Sequence, residues 1–249
     1  MSGHNKWSTI KRKKGAADAK RSKMFSRIVK EIMVAVKESG GDPDGNAQLK
    51  VAIQNAKGVN MPKDTITRAI SKAESDDANY QEMTFEGYAP GGIAIFVEAL
   101  SDNNNRTVAS VRSVFTKRGG SLGTNGSLSF IFDRKGVFSV SKIGLDVEEF
   151  ELETIDSGAE DFQELEEHVI ITTALEDFGN MQKKLDEMAI EVENAELQRI
   201  PNNTTALSVE ASKTVLRMIE AFEEDDDVQN VFHNLEMTDE LEEALAGED

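Results

Sequence analysis

The chain has 249 residues, no cysteine, 39% hydrophobic residues and a formal net charge of −18. That length allows a buried core and two or three domains, and the lack of cysteine excludes disulfides, thiolate nucleophiles and cysteine-based zinc sites together. No run reaches the roughly 18 apolar residues of a membrane helix, and the charged N-terminus has no apolar stretch behind it, so the expectation is a cytoplasmic protein without a secretory signal.

Charge is unevenly placed. Residues 1–30 hold ten Lys/Arg and one acid, whereas residues 143–249 hold five against thirty-two. The basic end begins with an arm carrying Lys6, Lys11, Arg12, Lys13 and Lys14, with Trp7 among them. A helix follows from Asp18 to Ser39, because Phe25, Ile28, Val29, Ile32, Met33 and Val36 recur at the spacing of one helical face. Lys20, Lys23, Arg27, Lys30 and Lys37 fall in the opposite sector, and Arg21 adds to the same basic segment.

"SGGDPDGN" ends this helix. Two more are expected, one over 46–57 and one from about Pro62, whose missing N–H is harmless in a first turn. The polar stretch 74–82 reads as a linker. "GYAPGG" is a turn cluster leading into a strand at 93–100, and a helix at 106–118 follows. After the glycine-punctuated loop "GGSLGTNGS", the segments "LSFIF" and "GVFSV" read as a hairpin. The acidic part reads as a helix at 145–156, a strand at 167–175, a helix at 177–189 and a strand over "IEVENAELQRIP". A helix at 208–222 and a strand over "DVQNVFHNL" close the series. The fold class is multidomain α + α/β: an N-terminal helical bundle followed by two α+β (ferredoxin-like) domains, the middle one discontinuous. The expected limits are 1–78, then 83–142 plus 207–238, then an acidic insertion at 143–206, with a fraying acidic tail at 239–249.

Catalytic chemistry finds little footing. The glycine loop lacks the Lys of a phosphate-binding loop and leads into a strand, not a helix. His4, His168 and His233 are scattered without metal-ligand spacing, and there is no nucleophile elbow. No catalytic residue, metal, cofactor or small-molecule substrate is expected. The arm and stripe do carry chemistry: Lys6, Lys11, Arg12, Lys13, Lys14, Lys20, Arg21, Lys23, Arg27 and Lys30 suit phosphates, and Trp7 suits stacking on a base. Membrane binding is disfavoured, because the apolar face of the helix is needed for the bundle. Tyr88, Gly91 and Gly92, with Asn104 and Arg106, form candidate contact loops that equally suit turn formation and helix capping.

Five ordered stretches, "GHNKWSTIKRKKGAADAKRSKMFSRIVKEI", "GGDPDGNAQLKVAIQNAKGVNMPKDTITRAI", "EGYAPGG", "LSDNNNRTVASVR" and "GGSLGTNGSLSFIF", resemble the YebC/PmpR family, whose mitochondrial relatives include the translational activator of cytochrome c oxidase. The resemblance implies three domains, a helical bundle and two α+β domains with the middle one discontinuous. It also implies a non-enzymatic nucleic-acid-binding factor, described in the family as a DNA-binding transcriptional regulator. The alternative it carries is a translation factor on ribosomal RNA, assisting elongation through proline-rich stretches. The residues themselves leave DNA and RNA open, since no helix-turn-helix spacing is evident. A third reading is an adaptor whose acidic domains hold a basic partner. Oligomeric state is not legible.

Overall fold

The computed structural model describes residues 17–75 and 80–247, with side chains from Arg21 onward. The arm residues Lys6, Trp7, Lys11, Arg12, Lys13 and Lys14 therefore lie outside the described residues, as does the side chain of Lys20. Among the described residues the helices are α1 (Ala17–Ser39), α2 (Ala47–Gly58), α3 (Lys63–Ser75), α4 (Asn104–Lys117), α5 (Val147–Ile155), α6 (Phe178–Glu187), α7 (Val209–Glu223) and α8 (Asp239–Ala246). The strands are β1 (Gln81–Tyr88), β2 (Ala94–Ser101), β3 (Ser121–Leu122), β4 (Phe132–Ser141), β5 (Ala159–Glu164), β6 (His168–Ala174), β7 (Val192–Pro201) and β8 (Val228–His233). They form two four-stranded sheets, and the chain divides into two units: 1–23 with 77–133 and 200–249, and 24–76 with 134–199.

In the first unit the strand order is β3-β1-β2-β8. β1 and β2 pair antiparallel from Gln81↔Ser101 to Tyr88↔Ala94, closed by the tight Pro90–Gly92 turn. α4 and α7 cover one face, where Phe115 and Phe222 meet with ring centroids 4.8 Å apart. The other face is covered by residues 128–132, which bury Leu128 and Phe132 against Phe96 and Phe232. Here the structure departs from the sequence reading. "LSFIF" is largely turn, because it sets Leu128 and Phe132, four residues apart, onto the sheet, and a single long β4 runs through "DRK" where a hairpin was expected. Gln81–Tyr88, read as linker and turn, is a strand. The element order of this unit is thus β-β-α-β followed by α-β, and not the ferredoxin-like order expected for it. The tail holds α8, capped by Thr238 and anchored by Leu241 and Leu245 in the same core.

In the second unit the sheet order is β5-β6-β4-β7, from a β-α-β-β-α-β succession that is the ferredoxin-like arrangement. Phe138, Phe150, Ile171, Met181 and Leu185 form its core beneath α5 and α6. β5 carries little hydrophobic pattern, because only Ala159 and Phe162 of "AEDFQE" pack against the core. The bundle folds around Asn46, whose side-chain amide donates to the carbonyls of Ala35 (2.7 Å) and Gly40 (2.8 Å) while its oxygen accepts from the N–H of Leu49.

One device joins the bundle to this sheet. β7 is an edge strand whose outward N–H and C=O groups need partners. Asn55 of α2 supplies both: its amide donates to the Ala195 carbonyl (2.9 Å) and its oxygen accepts from the Ala195 N–H (2.8 Å). One turn further on, Gly58 lies so close that a Cβ there would stand 1.8 Å from the Glu193 carbonyl oxygen. Val51 adds apolar contact to the core of the sheet, and Lys50 pairs with Asp186 at 2.5 Å.

Candidate nucleic-acid interface

α1 owes its length to Ile28, Ile32, Met33, Ala35 and Val36, all buried. At about 100° per residue, Lys23, Arg27 and Lys30 lie together on the side turned from that core; all three are partly buried, and the Nε of Arg27 is itself covered. Arg21 is exposed but rotated by about 100° from Lys20, so it leaves the stripe. Glu31 flanks the stripe. Burial pushes its carboxyl up to about 7, Glu196 of β7 adds to the rise, and Arg27 opposes it. The charge of this face therefore depends on pH near neutrality.

A second candidate element follows α1. α2 and α3, both expected from the sequence, are joined by four residues, 59–62, a connection of the length that joins the helices of a helix-turn-helix. α3 buries Ile66, Ala69 and Ala73 and exposes Lys63, Thr67, Arg68, Ser71 and Lys72. With the exposed Asp64 and Glu74 counted, this surface carries three cations against two acids and several hydroxyl groups, and Lys63, Arg68 and Lys72 are the groups that suit phosphates.

The two candidate contact loops are internally held. Arg106 grips the buried Asp227 through Nε (3.1 Å) and Nη2 (2.8 and 2.9 Å), and also reaches Asp102 at 3.0 Å. Those hydrogen bonds, to Asp227 first and Asp102 second, raise its pKa. Ser101 and Thr107 donate to the same Asp227 carboxylate. Asn103, not Asn104, caps α4, while Asn104 donates to Gln81 at 2.5 Å. Tyr88 is half-buried against the second face of its sheet. Gly91 and Gly92 are exposed with φ of 81° and 77°, and a Cβ on Gly91 would meet Leu207 at 2.8 Å.

The glycine loop is anchored by the buried Glu86, whose carboxylate accepts from the N–H groups of Gly126 and Leu128, both at 2.6 Å. Beyond that anchor Phe130 stands 73% exposed, an aromatic ring the sequence reading had assigned to a strand. A cleft of about 620 Å³ in the second unit is lined by Lys57, Asn60, Ile143, Glu191 and Glu193 among others. Among the described residues, no three or more His, Asp or Glu side chains converge to hold a metal ion, and no helix is long and apolar enough to cross a membrane.

The protein is thus a mixed α/β chain with two antiparallel sheets and a basic helical end opposite in sign to its acidic remainder. Residues 5–76 match the TACO1/YebC protein N-terminal domain and residues 80–235 the TACO1/YebC second and third domain, so the chain belongs to the TACO1/YebC family. A probable transcriptional regulatory protein of Amoebophilus asiaticus is 49% identical over 239 residues, 94% of this chain and 98% of its own. One of the same description from Thermotoga maritima is 46% identical over 250 residues, covering 99% and 98%. The crystal structure of a conserved hypothetical protein, Aq1575, from Aquifex aeolicus is similar with a TM-score of 0.79 and 40% identity, over 88% of this chain and 91% of that one.

Proposed function

We propose that this protein is a non-enzymatic regulator of gene expression that binds DNA through its N-terminal arm, the basic stripe of α1 and the exposed face of α3. The observation that carries the reading is charge separation: ten cations against one acid in the first thirty residues of a chain whose net charge is −18. Crowded cations repel one another, and a bound polyanion relieves that repulsion. The acidic remainder is repelled by the same polyanion and orients the basic end toward it. The short α2–α3 connection favours duplex DNA, since it offers a helix for a major groove. The names of the relatives, probable transcriptional regulatory proteins, support the same reading.

Anisotropy titrations of labelled duplex DNA and of structured RNA across a salt series test it. Replacing Lys11, Arg12, Lys13 and Lys14 with Ala leaves up to four phosphates without a protein cation. The slope of log K against log salt then flattens by about 0.9 for each phosphate no longer neutralised. An unchanged slope refutes the role of the arm. Preference for structured RNA, with cosedimentation on ribosomes that the same substitutions abolish, replaces DNA by the ribosome-associated translation role.

A further inference from the structure

The nucleic-acid reading uses the basic end of the chain and leaves the surface of residues 134–199 without a role. That segment holds eighteen acidic residues against six basic ones. Its four lysines each pair with a carboxylate: Lys135 with Glu160, Lys142 with Glu164, Lys183 with Glu187 and Lys184 with Glu153. The charge left to face solvent is therefore strongly negative.

Within this acidic surface lies an apolar patch that the fold does not use. α5 buries Phe150 and Thr154, yet Leu152 and Ile155, one turn apart, are 67% and 51% exposed. Leu175, at the end of β6, is 41% exposed. It belongs to the same end of the sheet, because the turn after α5 at Gly158 abuts Asp177, two residues beyond Leu175. Glu148 precedes Leu152 by one turn, and Glu151, Asp156 and Glu176 border the three aliphatic side chains; all four acids are exposed. Large aliphatic groups held in water on a rigid, capped helix, with Asp146 accepting from the N–H of Glu149, are the mark of a docking surface when they cluster.

From this geometry we infer that the Leu152–Ile155–Leu175 patch docks a basic partner protein, through an amphipathic segment that sets apolar side chains on the patch and Lys or Arg against the rim. Charge selects among occupants. A phosphate backbone or an anionic lipid surface is repelled by the rim. A second copy placed across a two-fold axis brings Glu151 and Asp156 against their own equivalents. A cationic segment with an apolar face is attracted by both parts of the site, and its charge fixes the register of docking.

The test uses the full chain and two synthetic helical peptides of equal positive charge. One aligns its leucines on a single face between lysines; the other has the same composition scrambled so that no apolar face forms. Anisotropy is expected to show about tenfold tighter binding of the amphipathic peptide. Leu152→Ser with Ile155→Ser removes that preference, and Glu151→Lys with Asp156→Lys weakens binding of both peptides. Equal binding of the two peptides overturns the inference, as does a preference that survives the serine substitutions or binding of both peptides that the lysine substitutions leave unchanged. Sedimentation of the chain alone supplies the last arm: a dimer that the serine substitutions dissociate assigns the patch to a second copy and also overturns it. Circular dichroism confirms the folding of each variant, and the lysine pair decides the matter if the serine pair does not fold.

Discussion

Replacing Asn55 with Ala tests the joint between the bundle and the sheet. The side chain makes two hydrogen bonds to one buried residue, donating to the Ala195 carbonyl and accepting from its N–H. Each such bond contributes about 1 kcal/mol, and leaving a buried backbone group unsatisfied costs a further 1–3 kcal/mol, roughly. Water entering the vacated space offsets part of this, so the expected loss is about 3 kcal/mol. The neighbouring Lys50–Asp186 pair is half-exposed on both sides and contributes little. With a urea dependence of roughly 2–3 kcal/mol/M, the unfolding midpoint falls by about 1 M. Hydrogen exchange localises the effect, since the Ala195 amide loses its protection while amides at the centre of the sheet, in β6, keep theirs. A loss below about 1 kcal/mol with the Ala195 amide still protected refutes the reasoning, because solvent or backbone would then be satisfying β7 without α2.

Three further perturbations follow from the same structure. Gly58→Ala gains about 1 kcal/mol of helix propensity but places a methyl against the Glu193 backbone, so net destabilisation by thermal melting is expected, and a raised melting temperature contradicts the close approach. Glu86→Ala strips the acceptor from the Gly126 and Leu128 amides and costs about 3 kcal/mol; exchange of those two amides should rise sharply, with Glu86→Gln intermediate. Glu31 titrates near 7 in the folded protein against 4.5 in the reference state, so the native form binds the proton more tightly. Its contribution is fully present below pH 4.5 and is lost as pH rises through 7, and Glu31→Gln should be progressively stabilising over that window, reaching about 3 kcal/mol at pH 8. Parallel stability–pH curves for the two proteins exclude this.

Local pattern decided a good deal. The helical face of α1 and its basic stripe, the strand at β2, the helices α4 and α7 and the β6–α6–β7 succession are all legible, because hydrophobic periodicity is a property of neighbouring residues. The charge separation behind the proposed function is likewise visible without coordinates. Pattern misled where burial and chemistry diverge. β1 carries Glu86 into the interior, so its alternation looks polar until the glycine loop whose N–H groups bind that carboxylate is in place. "LSFIF" is apolar enough for a strand, but it covers a sheet that another part of the chain builds. α8 hides Leu241 and Leu245 in an acidic tail whose partners lie in a core assembled from earlier residues.

What the sequence alone could not reach is the pairing of distant pieces. Asn55 and Ala195 stand 140 residues apart, and nothing in either neighbourhood names the other. The same holds for Arg106 and Asp227, separated by 121 residues, which turn a loop of apparent binding character into an internal clamp. Periodicity reports which side of an element is buried. The partner that buries it, and hence whether a polar side chain faces a ligand or the protein itself, is set by tertiary contact, where hydrogen bonds and close packing act between residues the chain order keeps apart.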